Sequence, residues 1–392
     1  MFNDSYRNKT IFLTGHTGFK GSWLAYWLRQ LGATVVGYSL PAPTTPSHHA
    51  LLLDMFGRLD MPYLGDMAYL ITETLANLSD VPALMKAMQD AKPDLVIHMA
   101  AQPLVRESYR TPLETLETNV LGTARVLETV RQTPSVRGVV IVTSDKCYEN
   151  PEDGRPLRET DPMGGFDPYS VSKGAAELIT ASYRNSFFNP AQYGQTHNVL
   201  VASVRAGNVI GGGDWATDRL IPDLIRSTQT NVPGGVPSGN GPRRRTEPVE
   251  IRNPLAVRPW QHVLEPLSGY LLVGQRLMEG NVPAAGGWNF GPAVDDVLPV
   301  REVIRQACAE WSAIQCHEHE SAANPHEAHL LSLDCTKARE QLGWTPVWNT
   351  ETAIQRTIAW YRDYYQNGAV HTDADLRTYT AQAEAANLPW TE

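Results

Sequence analysis

The chain has 392 residues, 42% of them apolar, which suits one large two-part domain and excludes a small single-core fold. A formal net charge of -9, with no basic run beyond Arg243 to Arg245, excludes nucleic acid as the principal partner and requires locally placed arginines for any anionic ligand. Four cysteines without a C-x-x-C pair exclude a disulfide scaffold and read as structural free thiols of a reducing compartment.

No apolar run approaches the roughly 20 residues that span a bilayer, and MFNDSYRNK at the start has no apolar core of a leader, so a cytoplasmic protein without membrane partners is expected. Thr10 to Gly21, TIFLTGHTGFKG, carries an apolar run into glycines spaced G-x-x-G-x-x-G. Such a turn lets backbone N–H groups and a helix N-terminus approach a dinucleotide pyrophosphate. Ser22 to Leu31 has helical apolar spacing and stops before Gly32, and Thr34 to Tyr38 reads as a second strand.

Val81 to Met88, Pro112 to Arg131 and Tyr169 to Phe187 follow as predicted helices, alternating with predicted strands at Asp94 to Met99, Gly138 to Thr143 and Val199 to Arg205. Buried strands alternating with helices indicate an α/β fold with a doubly wound parallel sheet, Rossmann-type. Residues 1–206 are expected to form the dinucleotide-binding domain, with returning segments near 262–291. Beyond Gly207 the composition turns to Pro, Gly, Arg and Trp, and 207–392 is expected to be mainly a smaller mixed α/β lobe. Asn231 to Pro248 reads as an irregular insertion, Val300 to Trp311 and Glu351 to Tyr365 as helices, and the residues from Gln366 are too polar to place.

Val142 to Tyr148, VTSDKCY, falls at the carboxyl end of a predicted central strand, where open α/β sheets bind ligands. In DPYSVSK, Asp167 is an expected N-cap and Pro168 a first-turn residue, which sets Tyr169 and Lys173 on one helix face. An ammonium beside a phenol favours the phenolate, a base able to act on a hydroxyl near neutral pH.

In order along the chain, the glycine loop, HMAAQ at His98 to Gln102, Asn119, Ser144 and the Tyr169/Lys173 pair resemble the extended short-chain dehydrogenase/reductase family. Longer blocks, among them GHTGFKGSW, TSDKCYEN, RAGNVIGGGDW, RPWQHVLEPLSGYLL and NPHEAH, are similar to its nucleotide-sugar 4,6-dehydratases acting on CDP-glucose. The resemblance implies NAD as a catalytic cofactor, held by Gly15, Thr17, Gly18, Phe19, Lys20, Gly21, Asn77, Leu78, Ala100, Ala101, Gln102, Asn119, Thr143, Tyr169 and Lys173. It implies oxidation at carbon 4, with Tyr169 as base and Ser144 and Lys173 in support. Water is then lost across carbons 5 and 6 with Asp145 as acid, and the hydride returns to carbon 6. Lys146 stands where the dTDP-glucose enzyme has a Glu base, and its role is left open. Arg106, Asn208, Arg219, Leu220, Arg252, Arg258 and His326 are implied at the nucleotide sugar. A homodimer through a four-helix bundle is implied as well.

Two departures bear on the cofactor: strand two ends VVGYSL without an acidic residue, and ANLSD puts Asn77 where an Asp meets adenine, so weak NAD retention is expected. CHEHE at Cys316 to Glu320, with His326 and His329, resembles a soft-metal cluster in composition, but the spacing is not H-E-x-x-H and no metal is expected. The competing readings are an epimerase, reductase or decarboxylase on another nucleotide sugar, and a catalytically silent dinucleotide-binding protein.

Overall fold

Alternate residues of the central strands belong to two different cores, as a sheet covered on both faces requires. Ile11, Leu13, Leu95, Ile97, Val140, Val142, Leu200 and Ala202 enter one core. Phe12, Val96, Val139, Ile141 and Val201 enter the other. The computed structural model describes residues 1–58, 71–228, 248–251, 253–293, 296–318 and 331–392.

In chain order the first part is β1 (Thr10–Thr14), α1 (Phe19–Gln30), β2 (Thr34–Ser39), α2 (His48–Arg58), β3 (Thr72–Leu75), α3 (Val81–Ala91) and β4 (Leu95–His98). Then come α4 (Val105–Arg110), α5 (Pro112–Leu116), α6 (Gly122–Arg131), β5 (Gly138–Val142), α7 (Pro168–Ser186), β6 (Leu200–Ala206), β7 (Val209–Ile210) and α8 (Leu220–Ser227). After β8 (Val249–Ile251), β9 (Val257–Arg258) and β10 (Gln261–His262) the chain forms α9 (Leu264–Met278) and β11 (Gly287–Phe290). It ends with β12 (Leu298–Pro299), α10 (Val300–Glu310), β13 (Cys316–Glu318), α11 (Thr336–Leu342), α12 (Thr350–Asn367) and α13 (Thr372–Ala385).

The main sheet runs β11-β6-β5-β4-β1-β2-β3, with every pairing parallel. Its winding reverses beside β1, which opens a crevice at the carboxyl ends of β1 and β4. Helix α9 and strand β11 return to this sheet, α9 packing on β5 and β6 and β11 pairing with β6. A separate apolar cluster joins α8, α10 and α12 through Leu224, Ile225, Val303, Ile304, Ile354 and Ile358.

Three features differ from the sequence expectation. The single helix expected over Pro112 to Arg131 is interrupted by a π-helical turn at Glu117–Leu121, where the Asn119 amide is drawn inward by partners outside the helix. Strand β3 was missed because TETL is polar and largely exposed at the sheet edge. The polar tail beyond Gln366 forms α13, whose Leu376, Tyr379 and Ala383 rejoin the core of the N-terminal domain together with Trp390. The C-terminal segment thus shares a core with the central strands, as do α9 and β11 of the expected 262–291. The insertion from Asn231 to Pro248 falls, except for its last residue, outside the described residues.

Candidate active site

The turn after β1 is built for a tight approach. Gly15 has φ +77°, and a Cβ there would lie 2.7 Å from the Ala100 nitrogen, while one on Gly21 would lie 2.1 Å from the Gly15 oxygen. Gly18 differs: a Cβ there would meet only the Gly15 oxygen, at 3.4 Å, so packing against the protein does not demand a glycine. Gly18 is also the N-cap of α1 and offers no side-chain acceptor to the first N–H groups. Bare amides beside open space at a helix start suit a phosphate. Thr17 pins the loop, its hydroxyl lying 2.8 Å from Ser39 Oγ and donating to the Leu40 carbonyl at 2.9 Å. Ser39 ends β2, so the absent acidic residue is replaced by a hydroxyl already engaged with the glycine loop.

Behind the loop, Thr14 Oγ1 accepts from the Met99 and Ala100 amides at 3.1 and 3.2 Å and lies 2.7 Å from His98 Nδ1. With those acceptor sites used, the threonine proton goes to Nδ1 and His98 stays neutral, its pKa pushed down to about 3 by burial. The HMAAQ segment is bolted further along by Asn119, whose Oδ1 accepts from the Gln102 amide at 2.8 Å. Its Nδ2 donates to the Gln102 carbonyl at 3.0 Å and to Ser172 Oγ at 2.8 Å. Thr143 donates to Glu177 at 2.5 Å. Asn119 and Thr143, expected on the cofactor, thus spend these polar groups on the protein, where they position the backbone beside Lys173 and Ser144. Asn77 Oδ1 accepts from the Ser79 amide at 2.9 Å, leaving one lone pair for an adenine amine. Leu78 is buried against Gly122.

The reactive cluster forms where β5 ends and α7 begins. Asp167 caps α7 by accepting from the Ser170 amide at 2.9 Å, and Pro168 occupies its first turn. This start aims Tyr169 and Lys173 at the end of β5. The Ser144 hydroxyl donates to Asp145 Oδ1 at 2.9 Å and stands near enough to the Tyr169 phenol to stabilise its charged form. Lys173 Nζ lies 3.4 Å from the Val142 carbonyl. Burial pushes Tyr169 up to about 12, partly opposed by the Ser144 hydroxyl, and pushes Lys173 down to about 8. Asp145 is raised by burial, with Lys146, Ser144, Arg258 and Lys20 acting against it. Its Oδ2 is buried, has no hydrogen-bond partner among the described residues, and sits 3.1 Å from where a Cβ on Gly207 would stand.

Cations gather around this carboxyl group. Lys20, on the first turn of α1, is lowered to about 8 by burial and by the charges of Arg219 and Lys173, while Asp145 and Asp214 oppose the shift. Arg219 precedes α8 and pairs with Asp214 at 3.1 Å, Leu220 is the first residue of α8, and Arg106 approaches Asp218 at 3.7 Å. Arg258 is buried and donates to the Val257 carbonyl at 2.9 Å. Asn208 accepts the Gln261 amide through its carbonyl oxygen at 3.0 Å. Phe19 lies against Gly211. Arg252 and His326 fall outside the described residues. In a chain of net charge -9, Lys20, Lys146, Lys173, Arg219 and Arg258 around two aspartates make a local field suited to a diphosphate.

Residues that sequence reasoning missed stand behind α7. Glu177 receives Arg205 through paired bonds of 2.8 Å and Ser203 at 2.6 Å, and Arg205 reaches Tyr148, which bonds Asn289 at 2.7 Å. The signal available was the spacing of Glu177, four residues after Lys173 and so on the same helix face. Trp260 and His262, left between packing and contact, are buried, with His262 against Trp348 at 4.8 Å between ring centroids.

Known proteins resemble the chain along most of its length. The family model described as GDP-mannose 4,6 dehydratase matches residues 12–246. The chain is 48% identical over 357 residues to a CDP-glucose 4,6-dehydratase of Salmonella typhimurium, covering 91% of each protein. It is 28% identical to a dTDP-glucose 4,6-dehydratase of Streptomyces antibioticus, covering 90% of this chain and 92% of that one. Among solved structures, MoeE5 in complex with UDP-glucose and NAD matches with a TM-score of 0.69 and 25% identity over 90% of this chain and 98% of its own. From residue motifs, sheet winding and these likenesses together, the chain belongs to the GDP-mannose 4,6 dehydratase family, within the extended short-chain dehydrogenases/reductases.

Proposed function

We propose that this protein is an NAD-dependent lyase that converts CDP-glucose to CDP-4-keto-6-deoxyglucose and water. The observation that carries the reading is the orphaned Oδ2 of Asp145, a buried carboxyl oxygen beside the Ser144/Tyr169 pair. An epimerase needs the serine, tyrosine and lysine alone, whereas elimination needs an acid for the departing hydroxyl. NAD, held at the turn after β1, supplies a reversible two-electron acceptor when bound.

Tyr169 takes the proton of the sugar 4-hydroxyl in its phenolate form, which burial disfavours and the positive charge of Lys173, one helical turn away, favours. Ser144 then donates to the carbonyl oxygen that forms. The new ketone acidifies the proton on carbon 5, which is lost to solvent in the elimination and regained from solvent once carbon 6 is reduced; the role of Lys146 in this step stays open. Asp145 delivers its proton to the 6-hydroxyl, which leaves as water. After one turnover Tyr169 holds an extra proton and Asp145 lacks one. Ser144, which donates to Asp145 and stands near the Tyr169 phenol, is the relay that resets them. Lys20, Arg219 and Arg258 bind the diphosphate and hold the hexose against Ser144.

Two copies pair through a four-helix bundle of 112–131 and 168–186. Leu113 (79% exposed), Leu121 and Leu178 would be covered there. No described helix is long and apolar enough to cross a membrane, and all four cysteines are free, which supports a cytoplasmic enzyme. The function is tested by incubating the protein with CDP-, dTDP-, GDP- and UDP-glucose plus NAD and reading the alkali-revealed keto-sugar chromophore. Product from CDP-glucose alone, or far faster, is expected; equal turnover of another nucleotide sugar, or none of any, overturns the reading.

A further inference from the structure

Of the residues that resemble a metal cluster by composition, 319, 320, 326 and 329 lie outside the described residues. Among the described residues, His16, His49 and Glu73 bring three donor atoms within 4.8 Å of one another. They come from the glycine loop, from α2 and from β3, far apart in sequence. His16 Nε2 lies 2.8 Å from Glu73 Oε2, and His49 Nε2 lies 3.5 Å from the same oxygen.

Each donor is held by a different device. The His16 ring lies over β2, where a Cβ on Gly37 would stand 2.5 Å from Nδ1, so only glycine admits the imidazole. Across the sheet Gly37 is paired with Glu73, which puts the carboxylate beside that ring. His48 fixes the start of α2, lying 2.7 Å from both Ser22 Oγ and Thr372 Oγ1 and stacking on Trp23. With His48 locked, the next residue turns to His16, their rings 5.3 Å apart and nearly perpendicular.

We infer that His16, His49 and Glu73 form a binding site for one borderline divalent cation of the zinc class. Two imidazoles and one carboxylate are a usual zinc donor set, and ligands about 2.1 Å from the metal lie roughly 3.4 Å from one another in a tetrahedron. The two pairs of 2.8 and 3.5 Å bracket that separation. Nitrogen donors select Zn2+ or Co2+ over Mg2+ and Ca2+. Glu73 is 35% exposed at its side chain, which gives the ion an entry path and solvent for its fourth position. Binding frees the proton shared by His16 and Glu73, which moves to Nδ1 or to solvent. Nδ1 has no partner in the fold, and a missing outer acceptor weakens metal sites about 10- to 100-fold. The site is accordingly of moderate affinity, and its occupancy ties α2 and β3 to the glycine loop.

The full chain, stripped with chelator, is titrated with Zn2+ and Co2+ by calorimetry and visible absorption. One equivalent is expected, with a tetrahedral cobalt spectrum free of thiolate charge transfer, a rise in Tm and no comparable response to Mg2+. His49→Ala and Glu73→Gln should weaken binding by at least about tenfold, while Cys316→Ser leaves it unchanged. A thiolate band in the native protein overturns the assignment even if the variants fail to fold. Binding that survives His49→Ala and Glu73→Gln, or no saturable binding by the native chain, does so as well.

Discussion

Asp145 combines two demands in one side chain: Oδ1 meets the Ser144 hydroxyl, and Oδ2 is buried without a partner among the described residues, so burial favours the protonated form. Asn keeps the shape and cannot act as an acid. Asp145→Asn should therefore retain oxidation at carbon 4 while loss of water falls about 10²- to 10⁴-fold. Trapping the 4-keto hexose with labelled borohydride and following the 6-deoxy product separate the two steps. Dehydration at the native rate would remove Asp145 from the chemistry, and loss of both steps would make it structural. At this scale the sequence showed which side chains share one place, since the cap at Asp167 starts the helix that carries Tyr169 and Lys173 to the end of β5 near Ser144. It did not show which of the candidate side chains also have distant protein partners. Thr143 is taken by Glu177, and Asn119 by Gln102 and Ser172.

Elements were legible where periodicity was strong, and the central strands, buried on both faces, are the clearest case. Edge strand β3 and helix α13 were not, because their local sequences are polar and their partners are supplied by the fold. The C-terminal element shows what such partners are worth. Trp390 is fully buried and stacks with Phe2 at 5.4 Å and with Tyr379 at 5.9 Å, closing the C-terminus over the N-terminus. The Asn3 amide donates to the Glu392 carbonyl at 2.7 Å in the same place. Trp390→Ala should lower the free energy of unfolding by about 3–5 kcal/mol in urea titrations, because a large cavity opens among aromatic rings. A loss below about 0.5 kcal/mol, as for a surface site, would show that the tail contributes nothing to the fold.

For the molecule as a whole, helices α5 and α7 carry an apolar surface that a lone chain leaves in water, with Leu113 at 79% and Leu178 at 60% exposure. The proposed dimer predicts a dimeric native protein in light scattering and a monomeric Leu178→Glu variant, since a carboxylate buried at a self-complementary contact meets its own copy; a monomeric native protein contradicts it. An unchanged dimer would move the interface elsewhere. The parallel doubly wound sheet was evident from the alternation of strands and helices, whereas the packing of α13 and Trp390 into the core of the central strands was not. The account stands on one site taking a hydride from carbon 4 and giving it back at carbon 6. CDP-glucose carrying deuterium at carbon 4 tests this directly by mass spectrometry and NMR of the product. Deuterium in the new methyl group of the same sugar is predicted, and its loss to solvent or its retention at carbon 4 would contradict the account.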